Sequence, residues 1–405
     1  MITYIRQAAL LAAATTLLGT VSACGSAQDH TQRERGREDA AKSRPSPGEG
    51  QRPFTLLATG DILSHDSVIR QAREDAGGSG YDFREMLSGA KPLASRADLA
   101  ICHMETVYGR AGGPFTGYPA FRTPPEVASA VKDTGYESCS AASNHSMDAG
   151  VEGVRRTLSV MEEAGLKHAG AAASASRRGS PAVMKAGGAT VAQLAYTYGT
   201  NGIPVPKKQS WAVDLIDPER IIADARAARR AGADVVVASL HWGTEWQQAP
   251  DAQQKALADR LTRSRSNGRK DIDLIIGTHA HVPQAYEKVN GTWVVYGMGD
   301  QLAGKMNDPR GSMSSAARFT FVPPGAGKRA GDRGEGRAAG GKGEWSVRKA
   351  EFIPFLVQTA PRIRVVNLAS EEARSSGAGR SEAYRKIRQA VLSRGAAEQG
   401  LRMGR

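Results

Sequence analysis

Six of the eight histidines in this 405-residue chain stand just past short apolar runs, and carboxylates and an amide stand beside them. His65 closes "GDILSH", four residues after Asp61, and His103 lies in "ICHMET", two before Glu105. His145 follows Asn144 in "SNHSMDAG", with Asp148 three residues on; His241 opens "HWGTEW", and His279 and His281 make "GTHAHVPQ". Only His30 and His168 fall elsewhere. A single D-x-x-x-H reads more readily as a turn aspartate beside an incidental surface histidine than as a ligand pair. Core packing, however, gives no reason for five separate segments each to deliver His, Asp, Glu or Asn. Imidazole, carboxylate and one amide oxygen suit a borderline divalent cation such as Mn²⁺, Zn²⁺ or Fe²⁺, and the lack of a cysteine cluster argues against a structural zinc. Two carboxylates with several neutral donors exceed the needs of one tetrahedral ion, which points to a pair.

The runs that precede these residues read as strands: Phe54–Ala58, Asp98–Cys102, Glu137–Ala141, Ala189–Tyr196, Val235–Leu240, Leu274–Ile276 and Trp293–Tyr296. Helix patterns lie between them. "PPEVASAVKDTG" has proline at its start and glycine at its end, "GVEGVRRTLSVMEEAG" sets Val151, Val154, Leu158 and Met161 on one face, and "DPERIIADARAARRAG" opens on an Asp-Pro cap. Such alternation predicts an α/β sandwich with largely parallel or mixed sheets, in which ligands bind beyond the carboxyl ends of the strands. Further on, "ARFTFVP" and "WSVRKAEFIPFLVQ" read as two antiparallel strands around a Gly/Arg-rich insert, residues 324–343, expected to be a disordered loop. Residues 370–405 read as a basic tail with one short helix. Cys102 and Cys139 fall in predicted strands; export would permit them to pair, and strand cysteines are also commonly buried free thiols, which is the expectation taken.

The net charge of +13 is concentrated outside the body of the chain. Residues 1–52 carry 7 Lys and Arg against 5 acids, residues 323–349 carry 7 against 3, and residues 370–405 carry 8 against 4. The remainder is close to neutral, with no basic stripe interleaved with aromatics, so nucleic acid is disfavoured as a partner. At the start, Arg6, the apolar run 8–21 and "VSAC" form an export signal over residues 1–23. Cys24, followed by Gly25, stands where a lipoprotein cysteine would be lipidated, and residues 24–52 hold too few apolar side chains for a core and read as a tether. The expected location is the outer face of the cell membrane, on a lipid anchor.

In this order and spacing, "GDILSH", "HMET", "FRTPPEV", "SNHSMDAG", "HWGTEW", "GTHAHVPQ" and "YGMGDQ" resemble the CapA family of poly-γ-glutamate capsule synthesis proteins, whose domain is similar to calcineurin-like metallophosphoesterases. The resemblance spans roughly residues 53–360, within a domain taken as 53–369. It implies a four-layer α/β/β/α metallophosphoesterase-like sandwich with mixed sheets. By position it implies Asp61 and His65 as ligands of one ion, Glu105 as a bridge, Asn144 and His241 on the second ion, and His279 and His281 completing the two shells. His145 takes the place of a non-ligand histidine that protonates a leaving group, with Asp148 orienting it or capping the next helix. His103, Trp242 and Asp300 become candidate substrate contacts; His103, standing where the family more often has asparagine, stays open also to the roles of a seventh ligand or a strand-end histidine of no function.

The function implied is an extracytoplasmic, metal-dependent protein of capsule or surface-polymer synthesis, working by hydrolysis or transfer beside a membrane polymer synthase. Two other readings stay open: a metallophosphoesterase acting on cell-wall or nucleotide phosphates, and a scaffold of the synthase with no chemistry of its own. If Cys24 carries the anchor, Cys24→Ser should move the protein out of the membrane fraction or stall its processing, as fractionation and immunoblotting would show. Unchanged membrane association would overturn the lipid anchor.

Overall fold

The computed structural model describes residues 50–326 and 343–405. The export signal, Cys24, nearly all of the tether and most of the 324–343 insert lie outside the described residues. In chain order the first strands are β1 (Phe54–Ile62), β2 (Leu99–Met104), β3 (Ser138–Ser140), β4 (Lys167–Ala169), β5 (Ala182–Ala186), β6 (Ala189–Thr197) and β7 (Val235–His241). A short pair, β8 (Arg265–Ser266) and β9 (Arg269–Lys270), precedes β10 (Leu274–Thr278), β11 (Tyr286–Val289), β12 (Thr292–Val295) and β13 (Asp300–Leu302). The last four are β14 (Met313–Val322), β15 (Ser346–Gln358), β16 (Arg364–Asn367) and β17 (Leu401–Met403). The helices are α1 (Asp66–Asp75), α2 (Arg84–Leu87), α3 (Lys91–Ala94), α4 (Glu126–Thr134), α5 (Gly150–Glu163), α6 (Pro218–Arg230), α7 (Ala252–Arg263), α8 (Glu371–Ser375) and α9 (Arg380–Leu392).

Two mixed sheets result. The larger runs β16-β15-β14-β1-β2-β3-β4, with β13 beside β1 and β17 beside β15; the second runs β11-β12-β10-β7-β6-β5. β1 to β4 are mutually parallel, as are β6, β7, β10 and β12, while β14 and β15 form the expected antiparallel pair. Side chains alternate in direction along a strand, so each strand feeds two layers. Phe54, Leu56 and Ala58 of β1 meet Val235 and Val237 of β7 between the sheets, whereas Leu57 packs outward with Val68, Met86 and Val127, and Val236 and Leu240 pack outward with Ile221, Ala258 and Leu261. The order is therefore helix, sheet, sheet, helix, the four-layer arrangement expected. Each fully buried aliphatic or aromatic side chain contributes about 1.5–3 kcal/mol. Helix ends follow local chemistry: Asp217 accepts from the Arg220 amide before α6, and Asp251 and Gln254 make a reciprocal capping box before α7.

Two expectations change. Cys102 and Cys139 are not free thiols; they sit opposite each other on β2 and β3, with Cα atoms 4.4 Å apart, and are joined as a disulfide. Residues 370–405 are not a tail beyond the domain. Ala383, Ile387 and Val391 of α9 are buried in the core between the sheets, and β17 pairs with β15 in parallel. The basic residues of α9 cover its outer face, which masks an apolar face in a compositional reading. Among the described residues no helix is long and apolar enough to cross a membrane. Ile387→Ala should cost about 2–5 kcal/mol in denaturant unfolding, the penalty of a core cavity. A change below about 0.5 kcal/mol, typical of a surface site, would return α9 to the status of a tail.

Candidate metal centre

The parallel strands of both sheets end at one edge. Asp61 is the penultimate residue of β1, and it reaches that edge because Gly60 lets the backbone pass within contact of Gly299: a Cβ at residue 60 would lie 1.7 Å from the Gly299 carbonyl oxygen. Strand pairing then sets His103 of β2 opposite Asp61, Ser140 of β3 opposite His103, and His241 of β7 opposite Thr278 of β10. The turns beyond the strands supply Glu105, Asn144, His145, His279 and His281. His279 and His281 hold φ of +95° and +55°, a left-handed backbone that costs a side-chain-bearing residue about 1–3 kcal/mol each. The His279 amide donates to Asp61 Oδ2 at 3.1 Å, tying the second sheet's loop to the first sheet's strand.

Around Asp61 and Glu105 the imidazoles close in. His103 Nε2 lies 3.8 Å from Asp61 Oδ1 and His281 Nδ1 lies 3.8 Å from Asp61 Oδ2. Glu105 Oε1 is 3.8 Å from Nε2 of both His241 and His281. Hydrogen bonds aim the rings: His103 Nδ1 pairs with Ser140 Oγ at 2.7 Å, His241 Nδ1 with Thr278 Oγ1 at 3.0 Å, and His281 Nδ1 with Asp300 at 2.9 Å, while Asn144 Oδ1 meets His241 Nε2 at 2.9 Å. Asp61 Oδ1, both Glu105 oxygens, His103 Nε2, His279 Nδ1 and one Asp300 oxygen are nonetheless buried with no hydrogen-bond partner among the described residues.

Electrostatics makes this arrangement costly without a cation. Burial raises the Asp61 carboxyl to about 7, against the pull of His281, and lifts Glu105 well above its ordinary value. Burial likewise lowers His103 and His279 to about 3 and His241 far below its usual range, neighbouring imidazoles adding to the effect, so these rings are neutral donors. Burial alone would lower His281 too, but Asp300, Glu105 and Asp61 hold it high. Unpaired buried carboxylates cost several kcal/mol each, and a divalent cation is the partner that such oxygens and imidazoles fit. Three residue groups have donor atoms within 4.8 Å of one another: Asp61, His103 and His241; Asp61, Glu105 and His281; and Glu245, His279 and His281.

The structure thus gathers Asp61, Glu105, His241 and His281, with Asn144 against His241 and His279 in the outer group. His65 stands apart from all three groups; its Nδ1 accepts from the Gly304 amide at 3.1 Å and its ring meets Phe121 edge-on. His103, open in the sequence to being a seventh ligand, a substrate contact or a strand-end histidine of no function, joins a ligand-capable group, and its position opposite Asp61 is the signal that strand register supplies. Asp300 faces His281 rather than the open cleft. Trp242 does not line that cleft: it is buried, stacked on Tyr296, and donates its indole N–H to the Tyr296 carbonyl. Glu245, four residues beyond His241, and Tyr198, whose ring lies 4.4 Å from that of His279, were not anticipated. A carboxylate in the loop after a strand-end histidine was the available clue to Glu245.

A cleft of about 530 Å³ opens over these groups, walled by His65, Phe121, His145, Trp246 and Lys305. His145 Nδ1 donates to Asp148 Oδ2 at 2.7 Å, and the same oxygen accepts from the Phe121 amide at 2.7 Å. Asp148 therefore orients His145 and does not cap α5, whose first turn has no side-chain cap.

Residues 55–305 match the family described as bacterial capsule synthesis protein PGA_cap. The chain is 32% identical over 180 residues to the PGA biosynthesis protein CapA of Bacillus subtilis (strain 168), covering 44% of this chain and 46% of that one. It is 28% identical over 179 residues to the capsule biosynthesis protein CapA of Bacillus anthracis, covering 43% and 42%. The chain spans about half the length of the curated relatives it matches. Among solved structures, a calcineurin-like phosphoesterase of Bacillus subtilis aligns with 85% of this chain and 98% of its own at 15% identity and a TM-score of 0.42. Likeness of that degree says nothing about substrate.

Asp61 contributes to two of the three groups, so Asp61→Asn should lower bound Mn²⁺ or Zn²⁺ as severely as Glu105→Gln, measured by elemental analysis after dialysis. His103→Ala should weaken roughly one equivalent, and His65→Ala should leave metal content unchanged. Metal loss in His65→Ala matching that in Glu105→Gln would redraw the ligand set.

Proposed function

Because the chain belongs to the bacterial capsule synthesis protein family, we propose that it acts outside the cytoplasmic membrane on an acidic surface polymer such as poly-γ-glutamate, by metal-dependent hydrolysis or transfer. The observation that carries this reading is the convergence of Asp61 and Glu105, buried with unpartnered oxygens, on the imidazoles of His103, His241 and His281, the last of which lines a cleft together with His145. Asp61, Glu105, His103, Asn144, His241, His279 and His281 would hold two divalent ions, Mn²⁺, Zn²⁺ or Fe²⁺, with Glu245 available from the outer side. Such ions, when bound, activate a water nucleophile and offset the negative charge that develops at the attacked centre.

The remaining roles fall to the chain itself. Asp148 accepts from His145 Nδ1 and fixes the ring, which leaves Nε2 as the nitrogen that would deliver a proton to the departing group. Phe121 packs edge-on against the His145 ring at 4.7 Å, and Trp246 covers His281 at 5.5 Å; both hold imidazoles in place and keep bulk water off them. Attachment through Cys24 would keep the cleft near a membrane synthase, and the Cys102–Cys139 disulfide is in keeping with an oxidising compartment.

The test is turnover of purified, metal-supplemented protein on γ-linked polyglutamate, with a generic phosphodiester in parallel. His145→Ala should retain its metal and lose about 10²- to 10⁴-fold in rate, the range for a positioned general acid. Turnover of the phosphodiester alone would exchange the polymer for a phosphate substrate, and turnover of neither would favour the scaffold.

A further inference from the structure

Behind the ridge formed by Phe121 and Arg122 lies a second concavity, of about 330 Å³, whose lining includes Arg110, Arg122, Arg156, Asp148 and Glu152. The three arginines arrive from separate places: Arg110 from the turn after β2, Arg122 from the loop before α4, and Arg156 from α5. Arg156 is anchored by its Nε, which donates to the Tyr108 carbonyl at 2.9 Å. Burial, and then the charges of Arg110 and Arg122, hold its guanidinium below the ordinary value. Both nearby carboxylates are already engaged, Asp148 with His145 and Glu152 with Arg155. Among the described residues none of the three arginines forms an ion pair, whereas about half of the other described arginines do.

Like charges gathered at a concave site whose carboxylates are bound to other groups mark a place where an anion belongs. We propose that this concavity binds a carboxylate-bearing stretch of the acidic polymer, next to the cleft in which the polymer is processed; the substrate class rests on the function proposed above. A guanidinium fork matches a carboxylate in bidentate fashion, and three forks require a ligand with several charges along its length. The position suits a chain that continues into the cleft. Asp148 lines the concavity while its carboxylate holds His145, and Phe121, next to Arg122, packs on His145. A polymer segment held by the arginines would have only this ridge to cross.

Binding can be separated from chemistry by using metal-loaded full-length protein and following a labelled γ-linked glutamate oligomer by fluorescence anisotropy at several salt concentrations. Arg110→Gln combined with Arg122→Gln should weaken binding about tenfold or more, as expected for loss of charge-assisted hydrogen bonds, and flatten its salt dependence. Metal content and melting temperature should not change, since both side chains are exposed. The Lys pair at the same positions should recover part of the affinity. Oligomer binding with no loss in the double Gln variant overturns the arginine site and leaves the polymer reading standing. Displacement by tripolyphosphate at far lower concentration than by free glutamate oligomer overturns the carboxylate assignment in favour of a phosphate chain. A wild-type protein that ignores the oligomer at low salt while hydrolysing a phosphodiester overturns the site and the polymer reading together.

Discussion

Two carboxylates with unpartnered oxygens, enclosed where water does not reach, set the terms for the rest of this molecule. Asp61 stands against His103 and Glu105 against His241, imidazoles that burial keeps neutral, and the two acids share with Asp300 the single charge of His281, so the surrounding side chains offer lone pairs but too little compensating charge. A folded state that retains such a centre must either take up a cation or hold protons on acids that would normally lose them. Zinc and manganese sites in proteins exploit the first route, and the binding free energy then becomes part of the folding free energy. Ser140, Thr278 and Asp300 fit this view: each fixes the far nitrogen of a histidine, which orients the ring and tunes its basicity.

Backbone geometry is bent to serve the same centre. Gly60 lies so close to Gly299 that no side chain fits, and two consecutive odd-numbered histidines in the β10 loop accept left-handed conformations. Neither arrangement helps the core, and both bring donor atoms nearer to Asp61. Strain localised in this way is what a preorganised site looks like.

Much of this was legible in the residues, and the exceptions have physical reasons. β1, β2, β7 and β10 announce themselves because both of their faces are covered, which leaves continuous apolar runs. β5 is harder to see: Val183 and Lys185 are exposed, and its small residues carry little signal. β4 and β13 have only three residues each, too short for a period to register. The ligand-capable set was visible in outline from strand-end placement, but His103 needed the knowledge that β1 and β2 are neighbours in register, and Glu245 needed the path of the loop after β7. His65 is the reverse case: its spacing from Asp61 looks like a ligand pair, yet its Nδ1 accepts from the Gly304 amide and it joins none of the three donor groups. With α9, composition hid periodicity: Ala383, Ile387 and Val391 recur at helical spacing beneath a basic exterior.

The two sheets are nested rather than sequential, and this has a consequence for how the chain reaches its native state. The larger sheet takes its strands from residues 54–169 and 300–403, while the second is drawn wholly from residues 182–295. β1 cannot find β14 until some two hundred and fifty residues have passed, a contact order that slows folding and favours early formation of the inner sheet on its own. Asp61, His103 and Glu105 belong to one sheet, and His241, His279 and His281 to the other. During synthesis each half therefore presents only a fragment of the donor set. Selection of the metal is deferred to the last step of folding, in whichever compartment the sheets finally close.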